Sequence, residues 1–144
     1  RHGCEPTDVI TEIVQTARAH GAAEGFGSLW TNGSSRVFRL GTAFGTKALY
    51  FAGASGDGES QQKRAEAPPL ILDQFVYLGA QHFADRDPEF VTAVPDPRKY
   101  MTRVMYARYC EVMADRARTS GLAPDCLEMA LFSRGKNPER FSGQ

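Results

Sequence analysis

Residues 29–60 constrain the fold most, because they read as short strands separated by glycine-rich corners. Asn32-Gly33 accepts positive φ at both turn positions, so residues 29–31 and 36–40 are predicted to pair as a β-hairpin. Residues 47–52, which are rich in aromatic side chains, are predicted to form a further strand. The sequence therefore predicts a small, mostly antiparallel sheet near the front of the chain.

A glycine-rich stretch, residues 53–60, follows the last of these predicted strands. Its spacing imitates a phosphate-binding loop, in which backbone amides and a lysine bind phosphates. Glu59 occupies the place of that lysine, and a carboxylate there would repel phosphate. This stretch is therefore predicted to be a solvated surface loop.

The rest of the chain is predicted to be mainly helical. Apolar residues recur at helical spacing over residues 7–20 and 97–119; Thr7 or Asp8 can cap the first helix, and Asp96 precedes the second. Residues 70–78 fit a helix or a buried strand, with the helix favoured, and residues 126–132 fit a strand or a short helix. The predicted fold is an α+β single domain over residues 1–144: a small antiparallel sheet with an N-terminal helix and a helical C-terminal half.

Composition limits the classes of partner. Lysine plus arginine and aspartate plus glutamate each number 17, so no overall field attracts nucleic acid or an anionic membrane. No apolar run reaches the roughly 18 residues of a membrane span. These features argue against a nucleic-acid or membrane partner and favour a protein partner. The first residue is Arg1 rather than methionine, which suggests an excised domain or a processed chain.

Three cysteines, Cys4, Cys110 and Cys126, are odd in number and widely spaced. This pattern argues against a disulfide framework and against a structural zinc site, and no metal is predicted. Reduced cysteines favour a cytoplasmic protein, with secretion into a host cell as an effector left open.

Glu128 is the acidic residue that most suggests a functional site. If residues 126–132 form a strand, Glu128 shares a face with apolar neighbours. A buried carboxylate is costly unless it is paired, so such groups are candidates for chemistry.

Two strings in this region carry a family resemblance: Leu29-Trp30-Thr31 followed by Gly33-Ser34, and Phe44-Gly45 followed by Leu49-Tyr50-Phe51-Ala52. They resemble the nicotinamide-pocket strands of the ADP-ribosyltransferase superfamily, in particular its poly(ADP-ribose) polymerase-like branch. The resemblance covers roughly a sixth of the chain and implies that the protein uses or binds NAD.

The resemblance also implies site residues. Tyr50 corresponds to the tyrosine that stacks on nicotinamide, Thr31 replaces the histidine that holds NAD, and Glu128 is the best available catalytic glutamate. A second branch pattern, in which an early arginine holds NAD, would use Arg39; the alternative for Arg39 is a solvent-facing residue on an edge strand.

Two other functions stay open from the sequence. A non-enzymatic interaction module, such as an effector, inhibitor or assembly subunit, fits the lack of a metal cluster or catalytic triad. A nucleic-acid binder is the weakest alternative because the net charge is zero. It would use the residues Arg98, Arg103, Arg108 and Arg118 with Tyr100 and Tyr106.

Overall fold

Seven α-helices dominate a computed structural model of the chain, which describes residues 6–31, 34–35, 40–54 and 67–141. The helices are α1 (Pro6–His20), α2 (Ala22–Ser28), α3 (Thr42–Ala54), α4 (Gln74–Gln81), α5 (Pro88–Ala93), α6 (Arg103–Thr119) and α7 (Pro124–Lys136), and a 3-10 helix (Pro138–Phe141) follows them. In these ranges β-pairing is limited to β1 (Trp30–Thr31) and β2 (Ser34–Ser35), which run antiparallel. The fold is all-α.

The predicted α+β fold is therefore wrong. Residues 47–52, predicted as a strand, lie in α3, and residues 126–132 lie in α7. The predicted second hairpin strand lies largely outside the described residues, as does most of the glycine-rich loop. The strand was predicted in place of α3 because apolar residues lie on both the buried and the exposed face of this helix. Leu49 is fully buried, whereas Phe44 and Phe51 are exposed. A helix that is apolar on opposite faces lacks the clean period of an amphipathic helix.

Side-chain caps fix where three helices begin. Asp73 accepts hydrogen bonds from the second and third amides of α4, Asp87 caps α5, and Thr102 caps α6. These caps satisfy amide groups that have no partner inside a helix. The helix predicted over residues 97–119 starts later, at Arg103, because its cap is Thr102 rather than Asp96.

Helices α4 and α7 pack with their backbones in contact. A β-carbon at Gly79 would overlap the carbonyl oxygen of Leu131, and one at Gly135 would overlap that of Phe75. Only glycine allows so close an approach at these two positions. This contact holds α7 against the start of α4, which brings Glu128 close to the residues preceding that helix.

The core lies where α2 and α6 meet the chain that leads into α4. Phe26 and Tyr106 are fully buried, and their rings stack with centroids 4.5 Å apart. Leu49, Leu72 and Val76 complete the same cluster. No helix in the described ranges has the length and apolar character needed to cross a membrane.

Candidate active site

Residues 70–72, which we call the strap, run into α4 without helical or strand structure. Side chains, rather than another strand, supply partners for their backbone groups. The Tyr106 hydroxyl donates to the Leu70 carbonyl at 2.9 Å, and the Tyr109 hydroxyl donates to the Ile71 carbonyl at 2.8 Å. Helix α6 therefore fixes one side of the strap.

Two further helices bind the amides of the strap. The Leu72 amide donates to Oγ1 of Thr46 on α3 at 3.1 Å, and the Ile71 amide donates to Oε2 of Glu128 on α7 at 2.9 Å. Buried backbone groups require such partners. The strap thus joins α3, α6 and α7 at the point where α4 begins.

Asp73 follows the strap directly and is held by two hydrogen bonds. Its Oδ1 accepts from the Phe75 amide at 2.9 Å and from the Val76 amide at 3.1 Å. Its Oδ2 lies 3.9 Å from Nζ of Lys47 on α3. The Asp73 side chain is 9% exposed and that of Lys47 is 42% exposed, so a fixed carboxylate faces an amine that a ligand can reach.

The Lys47 amine lies between two exposed aromatic rings. We call the side of the helix formed by Phe44, Lys47 and Phe51 the outer face of α3. The three residues are spaced three and four apart, so they lie on one side of the helix. Phe44 is 69% exposed and Phe51 is 62% exposed. The Lys47 ammonium lies 5.8 Å from the centroid of the Phe44 ring.

Glu128 is a buried acid with an altered titration. Burial raises the pKa of its carboxyl from 4.5 to about 7, and the hydrogen bond from the Ile71 amide opposes this rise. The negative charges of Asp73 and Asp125 also raise this pKa, whereas the positive charge of Lys47 lowers it. The carboxyl therefore exchanges its proton near neutral pH.

Tyr50 lies on α3 beside Lys47 and is half-buried. Burial raises the pKa of its phenol, and the charges of Asp125 and Glu128 raise it further. Asp125 lies in the first turn of α7, the helix that also carries Glu128. Tyr50, on the helix that carries Lys47, therefore interacts electrostatically with two acids of α7.

An amine beside a fixed carboxylate suits substitution at a sugar carbon. An amine is a nucleophile when neutral, and a carboxylate stabilises the positive charge that develops on a sugar ring when its glycosidic bond breaks. Flat aromatic side chains around the pair offer surfaces on which a nucleobase stacks.

A protein-family model described as "Putative 8-oxoguanine DNA glycosylase OGG-like protein" matches residues 3–132. The chain belongs to this OGG-like family. No curated protein and no solved structure matches the chain significantly. The family match covers the whole site, from α3 through the strap to Glu128 on α7.

The OGG-like family overturns the resemblance to ADP-ribosyltransferases, which is wrong. The second of the two strings that carried it lies in a helix, α3, rather than in a strand, and the described part of the first lies just after α2 and in the two-residue strands β1 and β2. The proposal of a non-enzymatic interaction module is not supported either, and a family of DNA glycosylase type cuts against the prediction that nucleic acid is not a partner. The predicted NAD cofactor and the predicted cellular location stay predictions.

The structure brings together two of the four residues predicted for the site of this OGG-like chain. Tyr50 and Glu128 are electrostatically coupled, although they lie on helices and not on strands. Thr31 lies in β1, with its backbone opposite Ser34. Arg39 falls outside the described residues. Their roles in catalysis stay predictions.

Lys47 and Asp73 were missed by sequence reasoning. A signal for both was present, because Lys47 is the lone charged residue of residues 42–54 and Asp73 is the lone charged residue of residues 68–81. A single charge in a long apolar run is costly to bury, and it marks a candidate functional group.

Proposed function

We propose that this OGG-like chain is a DNA glycosylase that removes an oxidised purine of the 8-oxoguanine class from DNA. The family match supports the reaction class. The observation that carries the proposal is the pair formed by the exposed Lys47 amine and the fixed, buried Asp73 carboxylate, 3.9 Å apart. These are the two groups that cleavage of an N-glycosidic bond with covalent catalysis requires.

In the proposed reaction the Lys47 ammonium first loses a proton to water, and the neutral amine then attacks C1′ of the damaged nucleotide. The C1′–N9 bond breaks, its electron pair leaves with the base, and the base takes up a proton from water. A proton then passes from the Lys47 nitrogen to O4′ as the sugar ring opens, which leaves a protonated Schiff base between Lys47 and C1′. Water later hydrolyses this bond and frees the amine.

Asp73 has the electrostatic role in this scheme. Positive charge develops on C1′ and O4′ as the base departs, and a nearby carboxylate lowers the energy of that state. Two α4 amides hold the carboxylate in place through Oδ1, so Oδ2 is directed toward Lys47 without reorganisation. The rigid strap supports the same geometry from the other side.

The outer face of α3 is the surface proposed to meet the damaged base. A base inside a duplex is inaccessible to an amine on a helix, so glycosylases extrude the target nucleotide and stack its base against apolar or aromatic side chains. Phe44 and Phe51 are exposed one helical turn on either side of Lys47, which places a stacking surface beside the nucleophile.

Base release and covalent trapping test the proposal together. A duplex with one 8-oxoguanine is incubated with the protein, and free base and borohydride-trapped protein–DNA adduct are measured. Borohydride reduces the Schiff base to a stable amine, so both products are expected with the wild type. Lys47→Gln should give neither product, whereas Lys99→Gln, which changes an exposed lysine outside the site, should give both.

Two results would change the proposal. Base release without an adduct would assign the attack to a water molecule beside Asp73 rather than to Lys47. Failure to release any oxidised purine from single- or double-stranded DNA would contradict the proposed function.

A further inference from the structure

Glu128 has an energetic cost that the packing of the protein does not explain. Glu128 is 6% exposed and its carboxyl lies against the strap, yet it carries an ionisable group. An amide side chain of the same shape would also accept the hydrogen bond from the Ile71 amide. The carboxyl is therefore not needed to hold the strap, and its charge calls for another role.

The titratable groups around Glu128 include both members of the proposed catalytic pair. Those that are electrostatically coupled to Glu128 come from four helices or their caps: Lys47 and Tyr50 on α3, Asp73 before α4, Tyr109 and Cys110 on α6, and Asp125 on α7. Of these, Lys47 carries the positive charge, and Asp73 is the residue that the strap positions. Glu128 is thus coupled to both members of the proposed catalytic pair.

We propose that Glu128 is a positioning residue for base excision, which holds the strap through the Ile71 amide and adds negative charge behind the Lys47–Asp73 pair. This inference rests on the proposed glycosylase function. Glu128 touches neither the sugar nor the base in this scheme. Its charge acts through the pair, because a positive sugar ring is stabilised by negative charge nearby.

Proton loss from Glu128 then controls part of the reaction rate. The carboxyl is neutral below about pH 7 and negative above it, in accord with its raised pKa. Excision by the wild type should increase as pH rises through 7, because only the negative form stabilises the developing cation. Glu128→Gln keeps the acceptor for the Ile71 amide and stays neutral at every pH.

Single-turnover excision of 8-oxoguanine by the wild type and by Glu128→Gln, measured from pH 5.5 to 8.5, tests this role. The wild-type rate divided by the variant rate should be near one at pH 5.5. At pH 8.5 it should reach about tenfold, which is smaller than the loss typical of a group that contacts the reacting atoms. Glu128→Asp, which remains ionisable, should keep a rate that rises with pH. Glu139→Gln, an exposed acid in the 3-10 helix, should match the wild type throughout.

The outcomes separate this inference from the proposed function. A rate ratio that is constant across pH would show that Glu128 has only a structural role and would overturn the inference while leaving the glycosylase intact. A wild type that excises no oxidised purine would overturn the proposed function and the inference with it. A ratio that rises with pH, together with a denaturation midpoint of Glu128→Gln no lower than that of the wild type at pH 8, would support the positioning role.

Discussion

Two helices carry positive charge on their outer faces, α3 and α6, and they differ in what surrounds that charge. On α6 four arginines each lie near an acid: Arg103 near Glu24, Arg108 near Glu89, Arg116 near Asp87 and Arg118 near Asp115. On α3 a single lysine lies between two exposed phenylalanines and faces a buried carboxylate.

The comparison concerns the surroundings of the positive charges rather than their number. The arginines of α6 suggested nucleic acid from the sequence, but ion pairs with exposed acids balance their charge. Tyr106, which the same hypothesis grouped with these arginines, is fully buried. The outer face of α3 has a single positive charge, but that charge lies next to exposed aromatic rings and a fixed carboxylate.

Removing the Lys47 amine should have the largest effect. We expect Lys47→Gln to lower single-turnover excision of 8-oxoguanine by at least about 10³-fold, because the nucleophile is lost. DNA affinity should change far less, since binding does not depend on covalent attack. Excision is measured by release of the base, and affinity by fluorescence anisotropy of a labelled duplex.

The matched change on the other helix is Arg108→Gln on α6. Excision by this variant should equal that of the wild type within experimental error. An equal loss of excision in both variants would break the distinction between the two helices.

The charge of Glu128 should make stability depend on pH. The pKa of this carboxyl is raised from 4.5 to about 7 in the folded protein. The contribution of Glu128 to the free energy of unfolding is therefore fully present below pH 4.5 and is lost as pH rises through 7. The reason is that the carboxyl ionises at a lower pH in the unfolded chain than in the folded protein. Allowing for partial screening by solvent, the wild type should lose about 2 kcal/mol of unfolding free energy relative to Glu128→Gln between pH 4.5 and 8.

Urea denaturation at a series of pH values measures this difference. Glu111→Gln, which changes an exposed acid of α6, is the control and should follow the wild type at each pH. If the unfolding free energies of the wild type and Glu128→Gln depended on pH in the same way, Glu128 would behave like an exposed acid such as Glu111 on α6.

The exposed rings of α3 should contribute to binding of the damaged base. We expect Phe51→Ala to weaken binding to 8-oxoguanine DNA by about tenfold, within the range of free energies that a stacked base contributes. Binding to a duplex with a tetrahydrofuran abasic analogue should not change, because that duplex has no base at the site to stack.

Val104→Ala is the matched control for this loss. Val104 lies on α6 and is 71% exposed, so the change removes exposed apolar surface away from α3. Equal weakening by Phe51→Ala with both duplexes would mean that the ring contacts the backbone or an intact neighbour rather than the extruded base.

The paired arginines of α6 should have the smallest effect. Arg118→Gln is expected to change DNA affinity by less than about twofold and to leave the dependence of affinity on salt unaltered, because Arg118 already pairs with Asp115 at 2.8 Å. A residue that neutralises a phosphate would reduce the slope of that dependence by about one. A reduced slope for Arg118→Gln would place DNA on α6.

Local patterns were enough to predict some of the helices. The N-terminal helix was predicted over residues 7–20 and is found at Pro6–His20, because its apolar residues repeat at helical spacing and Gly21 ends it with a positive φ. The long helix was predicted too early because Thr102, rather than Asp96, accepts the capping hydrogen bond. Such competition between nearby caps is decided by packing.

The candidate site was less predictable, because exposed apolar side chains obscure the periodic pattern of α3. Phe44 and Phe51 face outward on α3, so their apolar character obscured the buried face defined by Leu49. Glu128 was singled out for the correct reason, burial of a carboxyl, but on a strand rather than on α7. Its closeness to Lys47 and Asp73 depends on the backbone contact between α4 and α7, which no short pattern predicts.

Identifying the residue that is trapped on DNA tests the central claim most directly. The borohydride-reduced adduct is digested with nuclease and trypsin and mapped by mass spectrometry. We predict a deoxyribose remnant on Lys47, in a peptide that extends from Leu40 to Lys63 because trypsin does not cleave after a modified lysine. A remnant on another lysine or on the N-terminal amine, with Lys47 unmodified, would contradict the assignment of Lys47 and Asp73 as the catalytic pair.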